Sequence, residues 1–256
     1  MIRHFAVVTG AALAVAPVAR LRAQQPMPED YPIHSMDRPQ PAVVMPGTPM
    51  SAPPSDAIIL FDGKNLDAWS GDSGRKAPWL VKDGYVEVAP GSGSIQTRQG
   101  FGDCQLHVEW AEPLPATGEG QERGNSGVYL MGLYEVQVLD SYQNKTYPDG
   151  QAGSLFGQYP PLVNSARRPG EWQSYDIIFH GPRFDTSGTL LTPARVTVLM
   201  NGVLVQDNVA LTGPTAYQRR PPYVAHPDRL PLALQDHEMR VRYRNIWIRN
   251  LSTSRP

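Results

Sequence analysis

Residues 124–142 read Gly-Asn-Ser-Gly-Val-Tyr-Leu-Met-Gly-Leu-Tyr-Glu-Val-Gln-Val-Leu-Asp-Ser-Tyr, two short runs of β-branched and aromatic residues that meet at a glycine. Such a pattern is a hairpin signature. If Met131, Gly132 and Leu133 form a three-residue loop, Tyr129 faces Glu135, Gly127 faces Gln137, and Asn125 falls further along the same face. Val128, Leu130, Tyr134, Val136 and Val138 then fill the other face, leaving one side apolar and one polar, as a half-buried antiparallel sheet requires. A two-residue turn at Gly132-Leu133 would pair Glu135 with Leu130 and mix the faces. Because a slip of one residue turns every side chain over, the three-residue register is the consistent one. It gathers Asn125, Tyr129, Glu135 and Gln137 on one patch, with Gly127 leaving space for something to lie on it.

Outward from the hairpin the same period-2 alternation recurs. Ile58 to Phe61 opens the folded region. Trp79-Leu80-Val81 turns at Asp83-Gly84 into Tyr85-Val86-Glu87-Val88, and Asp-Gly between alternating runs is a strong hairpin signal. Residues 94–97 and 103–110 follow, the second with Cys104, Leu106, Val108 and Trp110 on one side and His107 and Glu109 on the other, which predicts a solvated His107. Cys104, the single cysteine, reads as a buried inert thiol. Residues 143–171 are rich in Gly and Pro yet carry Tyr147, Leu155, Phe156, Tyr159 and Leu162, so this segment is expected to be an ordered lid or cleft wall beside Glu135. Residues 172–179 and 195–200 resume strand alternation, the latter turning at Asn201-Gly202. Residues 232–237 form a short strand ending in Gln235-Asp236-His237, which puts His237 at a rim. In residues 241–248 the apolar positions change phase, which requires a β-bulge at Arg244-Asn245.

With 256 residues, 26 Pro and 23 Gly, and few Leu/Ala-rich helical runs, the composition fits one large all-β domain. Lys+Arg 23 against Asp+Glu 24 gives no basic surplus for nucleic acid or anionic membrane. Residues 1–23 have the three-part layout of a secretory signal, with no integral membrane domain expected, and imply a periplasmic or secreted protein. Residues 24–55, with prolines every few positions, read as an extended linker, and residues 56–254 as the folded domain. Oligomeric state is not legible.

Leu60-Phe61-Asp62-Gly63-Lys64-Asn65-Leu66, Gly124 to Tyr129, Tyr134 to Ser141, Gly157-Gln158-Tyr159-Pro160-Pro161, Gly170-Glu171-Trp172, Gln235-Asp236-His237 and Arg244-Asn245-Ile246 together resemble the 3-keto-disaccharide hydrolase domain family, over nearly all of residues 56–251. The resemblance implies a concanavalin A-like jelly-roll β-sandwich with long loops over its concave face, and exported bacterial proteins acting on glycosides oxidised at C3. Glu238 and Met239 depart from the family's usual glycine after His237.

A ketone at C3 acidifies the C2 proton, so a positioned base can remove it while the C1 substituent leaves; water then adds back, or the unsaturated sugar is released. Glu135 and His237 are the candidate acid–base groups, in interchangeable roles. Asn125, Tyr129, Gln137, Asp140, Tyr159 and Arg244 are the candidate contacts to the carbohydrate substrate. Direct retaining hydrolysis needs two carboxylates roughly 5 Å apart, and the face bearing Glu135 offers one. No organic cofactor is implied; a divalent ion held by Glu135, His237 or Asp140 stays open as an alternative, without compact ligand spacing behind it. The rival reading is a non-catalytic carbohydrate-binding module stacking sugar rings on Trp69, Trp79 and Tyr159.

Overall fold

A computed structural model describes residues 31–38 and 40–251. Two compact units divide the chain. The first comprises residues 1–39 and 252–256, of which residues 31–38 form turns. The expected signal segment lies outside the described residues. The second, residues 40–251, holds the sandwich. No helix of the described residues is long and apolar enough to cross a membrane.

Strands are numbered in chain order: β1 Ile58–Phe61, β2 Trp69–Ser70, β3 Leu80–Lys82, β4 Tyr85–Glu87, β5 Ile95–Phe101. Next come β6 Cys104–Ala111, β7 Ser126–Leu130, β8 Tyr134–Val138, β9 Gln173–His180 and β10 Arg183–Phe184. The last are β11 Leu190–Thr192, β12 Arg195–Met200, β13 Val203–Ala210, β14 Leu230–Leu234 and β15 Arg242–Asn250. An eight-stranded antiparallel sheet runs β13-β12-β9-β6-β15-β4-β3 with β1 also on β15, and a five-stranded sheet runs β2-β5-β14-β7-β8. The protein is an all-β, concanavalin A-like jelly-roll sandwich.

The core is the set of alternate positions that the two sheets turn toward each other. Leu106, Val108 and Trp110 of β6, Tyr175, Ile177 and Phe179 of β9, and Tyr243, Ile246 and Ile248 of β15 meet Ile95, Val128, Leu130, Val136, Val138 and Leu234 from the smaller sheet, all but fully buried. Two tyrosines cross this layer with their hydroxyls satisfied. Tyr175 Oη donates to Gln137 O at 2.6 Å and Tyr243 Oη to Ser126 Oγ at 2.7 Å. A buried phenol needs such a partner; here both partners lie on the β7–β8 hairpin, which is thereby pinned to the larger sheet.

The bulge falls where the phase change requires it, between Arg244 and Trp247 against β6, with Asn245 at φ 45°. Two expectations are corrected. Residues 40–55 belong to the compact unit rather than to a linker running to residue 55: Ser51 O accepts from Asn245 Nδ2 at 2.8 Å and from Trp247 Nε1 at 3.0 Å. His107 is not solvated but 2% exposed. Its ring stacks on Trp247 at 5.1 Å, and Nδ1 meets Asp176 Oδ1 at 2.7 Å. Burial by itself depresses that imidazole, but Asp176 and Glu109 outweigh it and hold the group up at about 9. Cys104 is 2% exposed, and burial pushes its thiol up to about 12, as an inert core thiol requires.

Candidate active site

The hairpin closes through the three-residue loop. Tyr129 pairs with Glu135 and Gly127 with Gln137, while Met131 and Gly132 take left-handed φ values of 55° and 66°. β14 lies on the other side of β7 with Ala233 opposite Tyr129, and the next residue on that face, Gln235, is tethered to it by two bonds. Its N–H donates to Gly127 O at 3.0 Å, and its carbonyl accepts from Ser126 Oγ at 2.6 Å. The polar face therefore carries Tyr129, Glu135, Gln137 and Gln235 side by side, with Asn125 at its end.

Glu135 is 4% exposed. Its Oε2 accepts from Tyr129 Oη at 2.8 Å, and Tyr129 Oη in turn accepts from Gln235 Nε2 at 3.3 Å. Oε1 lies 3.0 Å from the Gln137 side-chain amide. With its nitrogen toward Gln121 Oε1 at 3.1 Å and Asn125 Oδ1 at 3.3 Å, that amide turns its oxygen to Glu135 and suits a protonated carboxyl. Rotated, it donates to an ionised one. Burial pushes the carboxyl up to about 8, against the opposing pull of the Tyr129 hydrogen bond. Such a group changes charge near neutrality, where acid–base catalysts are most effective. Tyr129 is only partly buried, as are Gln235 and Gln121, and the network reaches solvent through them.

Gly127 is what lets the pair form. A Cβ there would run into Glu135 Oε1 and lie 2.9 Å from the Tyr129 ring. The edge of β8 is covered by the segment 153–156: Gly153 N–H donates to Gln137 O, Ser154 O accepts from Gln137 N, and Phe156 N–H reaches Glu135 O at 3.4 Å. This is the wall expected from residues 143–171. The loop after β13 closes the same edge, Glu135 N–H donating to Thr215 Oγ1 at 3.0 Å.

The remaining candidates hold other positions. His237 is exposed and lines a hollow with Glu122, Asp236, Glu238 and Met239; among the described residues no hydrogen bond joins it to Glu135. Its link to the network is the chain itself, two residues beyond Gln235, and Met239 Sδ, which accepts from Asn125 N–H at 3.2 Å. Asn125 and Gln137 engage Gln121 and each other, so they orient the patch. Asp140 is 1% exposed and committed to Arg123 Nε at 2.6 Å. Tyr159 packs partly buried against the core.

Arg244 is a correction. It follows Tyr243, which faces the core, so alternation sends it to the outer side of the larger sheet, where Nε donates to Glu109 Oε2 at 2.6 Å and the guanidinium sits 4.1 Å over Trp172. Trp69 and Trp79 are corrected too: both are core residues, 0% and 4% exposed, with indole N–H groups given to Leu60 O and Gly93 O. Among the described residues no three His, Cys, Asp or Glu side chains cluster as metal ligands. Gln121 and Gln235 were missed by sequence reasoning; the signal for Gln235 is its place in the Gln-Asp-His run, two residues before the imidazole.

No curated protein matches the chain. Among solved structures it is similar to a "putative glycosyl hydrolase" from Parabacteroides distasonis ATCC 8503, with 46% identity, TM-score 0.82, and coverage of 86% of this chain and 95% of that one. A second Parabacteroides distasonis structure of the same description, 20% identical with TM-score 0.56 and coverage of 77% and 94%, shares the fold. Residues 56–249 match the model of the 3-keto-alpha-glucoside-1,2-lyase-like domain, which spans both sheets and every residue of the polar patch. The chain belongs to that family.

Proposed function

We propose that this protein is an exported, carbohydrate-active enzyme that cleaves 3-keto-glucosides. The observation that carries the reading is the buried Glu135 carboxyl, held by Tyr129 on the polar face of the smaller sheet. Family membership and the similarity, over 86% of this chain, to a structure described as a "putative glycosyl hydrolase" support the substrate class.

In the proposed reaction His237 takes the C2 proton, and the electron pair moves to form the enolate of the C3 ketone. That enolate expels the C1 substituent, whose oxygen keeps the bonding pair and needs a proton. The Tyr129 hydroxyl, which points at Glu135 in the resting arrangement, rotates to the leaving oxygen; Glu135, protonated at neutral pH, then donates to Tyr129 Oη while the phenol hydrogen passes to that oxygen, so the buried acid acts through the partly buried tyrosine. Gln235 Oε1, without a partner among the described residues, is an acceptor for a sugar hydroxyl. The unsaturated 3-keto sugar either departs or adds water at C1, which sets lyase against hydrolase.

Incubating the protein with a 3-keto-α-glucoside and with its unoxidised parent, followed by product analysis, tests this. Release from the keto-sugar alone is expected, and Glu135→Gln should lower it about 10²–10⁴-fold. Release from the parent alone overturns the mechanism, and release from neither leaves a binding module.

A further inference from the structure

Beside the β8 edge, the loops 147–157 and 212–220 enclose a hollow of about 500 Å³. Its walls are Tyr147, Phe156 and Tyr217, and Arg219, Arg220 and Asp149 supply its charge. It adjoins the acid–base network at two points. Phe156 N–H meets Glu135 O, and the Tyr147 ring and the Gln121 amide both crowd Gly150, Gln121 being the hydrogen-bond partner of Gln137 and Asn125.

The walls are built rather than loose. Gln158 joins the loops by accepting from Thr212 N–H at 2.8 Å and donating to Gly213 O at 3.0 Å. Arg220 Nε donates to Gly157 O at 3.1 Å, and Thr215 N–H donates to Leu133 O at 2.8 Å, tying both loops to the catalytic hairpin. Two of the aromatic walls are unusually open for their size, Tyr147 44% and Tyr217 71% exposed. Exposed aromatic surface around a concavity marks a place where a flat ring is received. The guanidinium of Arg219 has no hydrogen bond or ion pair among the described residues, and two guanidiniums against one carboxylate leave the hollow with a positive balance.

We infer that this hollow is the leaving-group subsite and that it takes an aromatic aglycone bearing a carboxylate, the ring between Tyr147 and Tyr217 and the acid on Arg219. An unspent guanidinium is geometrically matched to a carboxylate and gains a charge-assisted bond there. Asp149 is partly buried and Arg219 exposed, and the Asp149 carboxylate disfavours an acid on its own side of the hollow, which assigns the charged end to the Arg219 side. The inference rests on the reading of Glu135 as the acid–base centre beside the subsite, but its test does not require turnover.

Calorimetric binding of unoxidised 4-carboxyphenyl, phenyl and methyl α-glucosides to the full chain provides the test. The carboxyphenyl glucoside should bind about tenfold more tightly than the phenyl one, and the phenyl more tightly than the methyl. Arg219→Gln should bring carboxyphenyl affinity down to that of phenyl and leave the other two unchanged. Tyr217→Ala should weaken both aryl ligands and spare the methyl one. Both positions are exposed, so the variants keep their fold. Equal binding of the two aryl glucosides, or an unchanged ratio in Arg219→Gln, overturns the subsite. Failure of keto-glucoside turnover with the affinity order intact overturns the mechanism instead.

Discussion

Tyr129 Oη donates to Glu135 Oε2 at 2.8 Å across a non-neighbouring pair of residues that one hairpin register places face to face. The bond favours the ionised carboxylate and so opposes the burial that raises its pKa to about 8. Tyr129→Phe removes the opposing pull. The carboxyl should then titrate higher, by about one unit on the scale of a hydrogen bond to a charged group. NMR titration of carboxyl-labelled protein reads the shift, and keto-glucoside release should fall together with it. An unshifted Glu135 in this variant would remove the tyrosine from the relay.

Gly127→Ala tests the space rather than the charge. The added methyl displaces the Glu135 carboxylate and the Tyr129 ring, so activity should drop far more than stability, with the 2.9 Å contact to the ring relieved by rotation of the tyrosine. Comparing the melting temperature with the rate distinguishes this outcome from general misfolding. A fully active alanine variant would mean that the tight pairing is incidental.

Two buried carboxyls make the fold sensitive to base. Glu112 is raised to about 8 by burial and then by the charge of Asp140, matching the value for Glu135. In both cases the folded-state pKa exceeds the unfolded one. Below about pH 4.5 both states hold the proton; as pH rises toward 8 only the unfolded chain releases it, so stability is lost. His107, raised to about 9, adds to the same trend, its contribution being complete below about pH 6.5 and gone above 9. Denaturation at pH 5 and pH 9 should differ for the wild type. Glu112→Gln should reduce that difference, by on the order of 4 kcal/mol at most for a shift of this size. A variant with the wild-type pH dependence would show that Glu112 ionises freely.

Asp176→Asn addresses the outer face of the larger sheet. His107 should titrate at lower pH, because Asp176 is the leading partner that opposes burial. The stability lost should be about 1 kcal/mol, since the aspartate is 40% exposed and solvent screens it. Imidazole NMR titration gives the first quantity and chemical denaturation the second. Keto-glucoside release should be unaffected, as it should be in Arg244→Ala, because both side chains lie on the far side of the sandwich from Glu135.

What the sequence determined by itself was local. Period-2 alternation fixed the faces of residues 124–138, the need to keep the apolar and polar faces apart fixed their register, and the phase change after Tyr243 located the bulge at Asn245. These are properties of neighbouring residues on one or two strands, and steric rules transmit them directly. Tertiary structure decided which sheet each strand joined and what came to lie over each face. His107 and Arg244 sit at regular outward positions, yet Trp247 and the chain around Ser51 cover the first, while the second belongs to the sheet opposite the candidate site. Glu135 also reads as outward, yet it is a buried acid: Tyr129 and the Gln137 amide meet its carboxyl, while Phe156 and Thr215 hold its backbone from segments remote in sequence. Alternation specifies a direction relative to the strand; burial and partnership depend on segments distant in the chain, whose arrival no local period encodes.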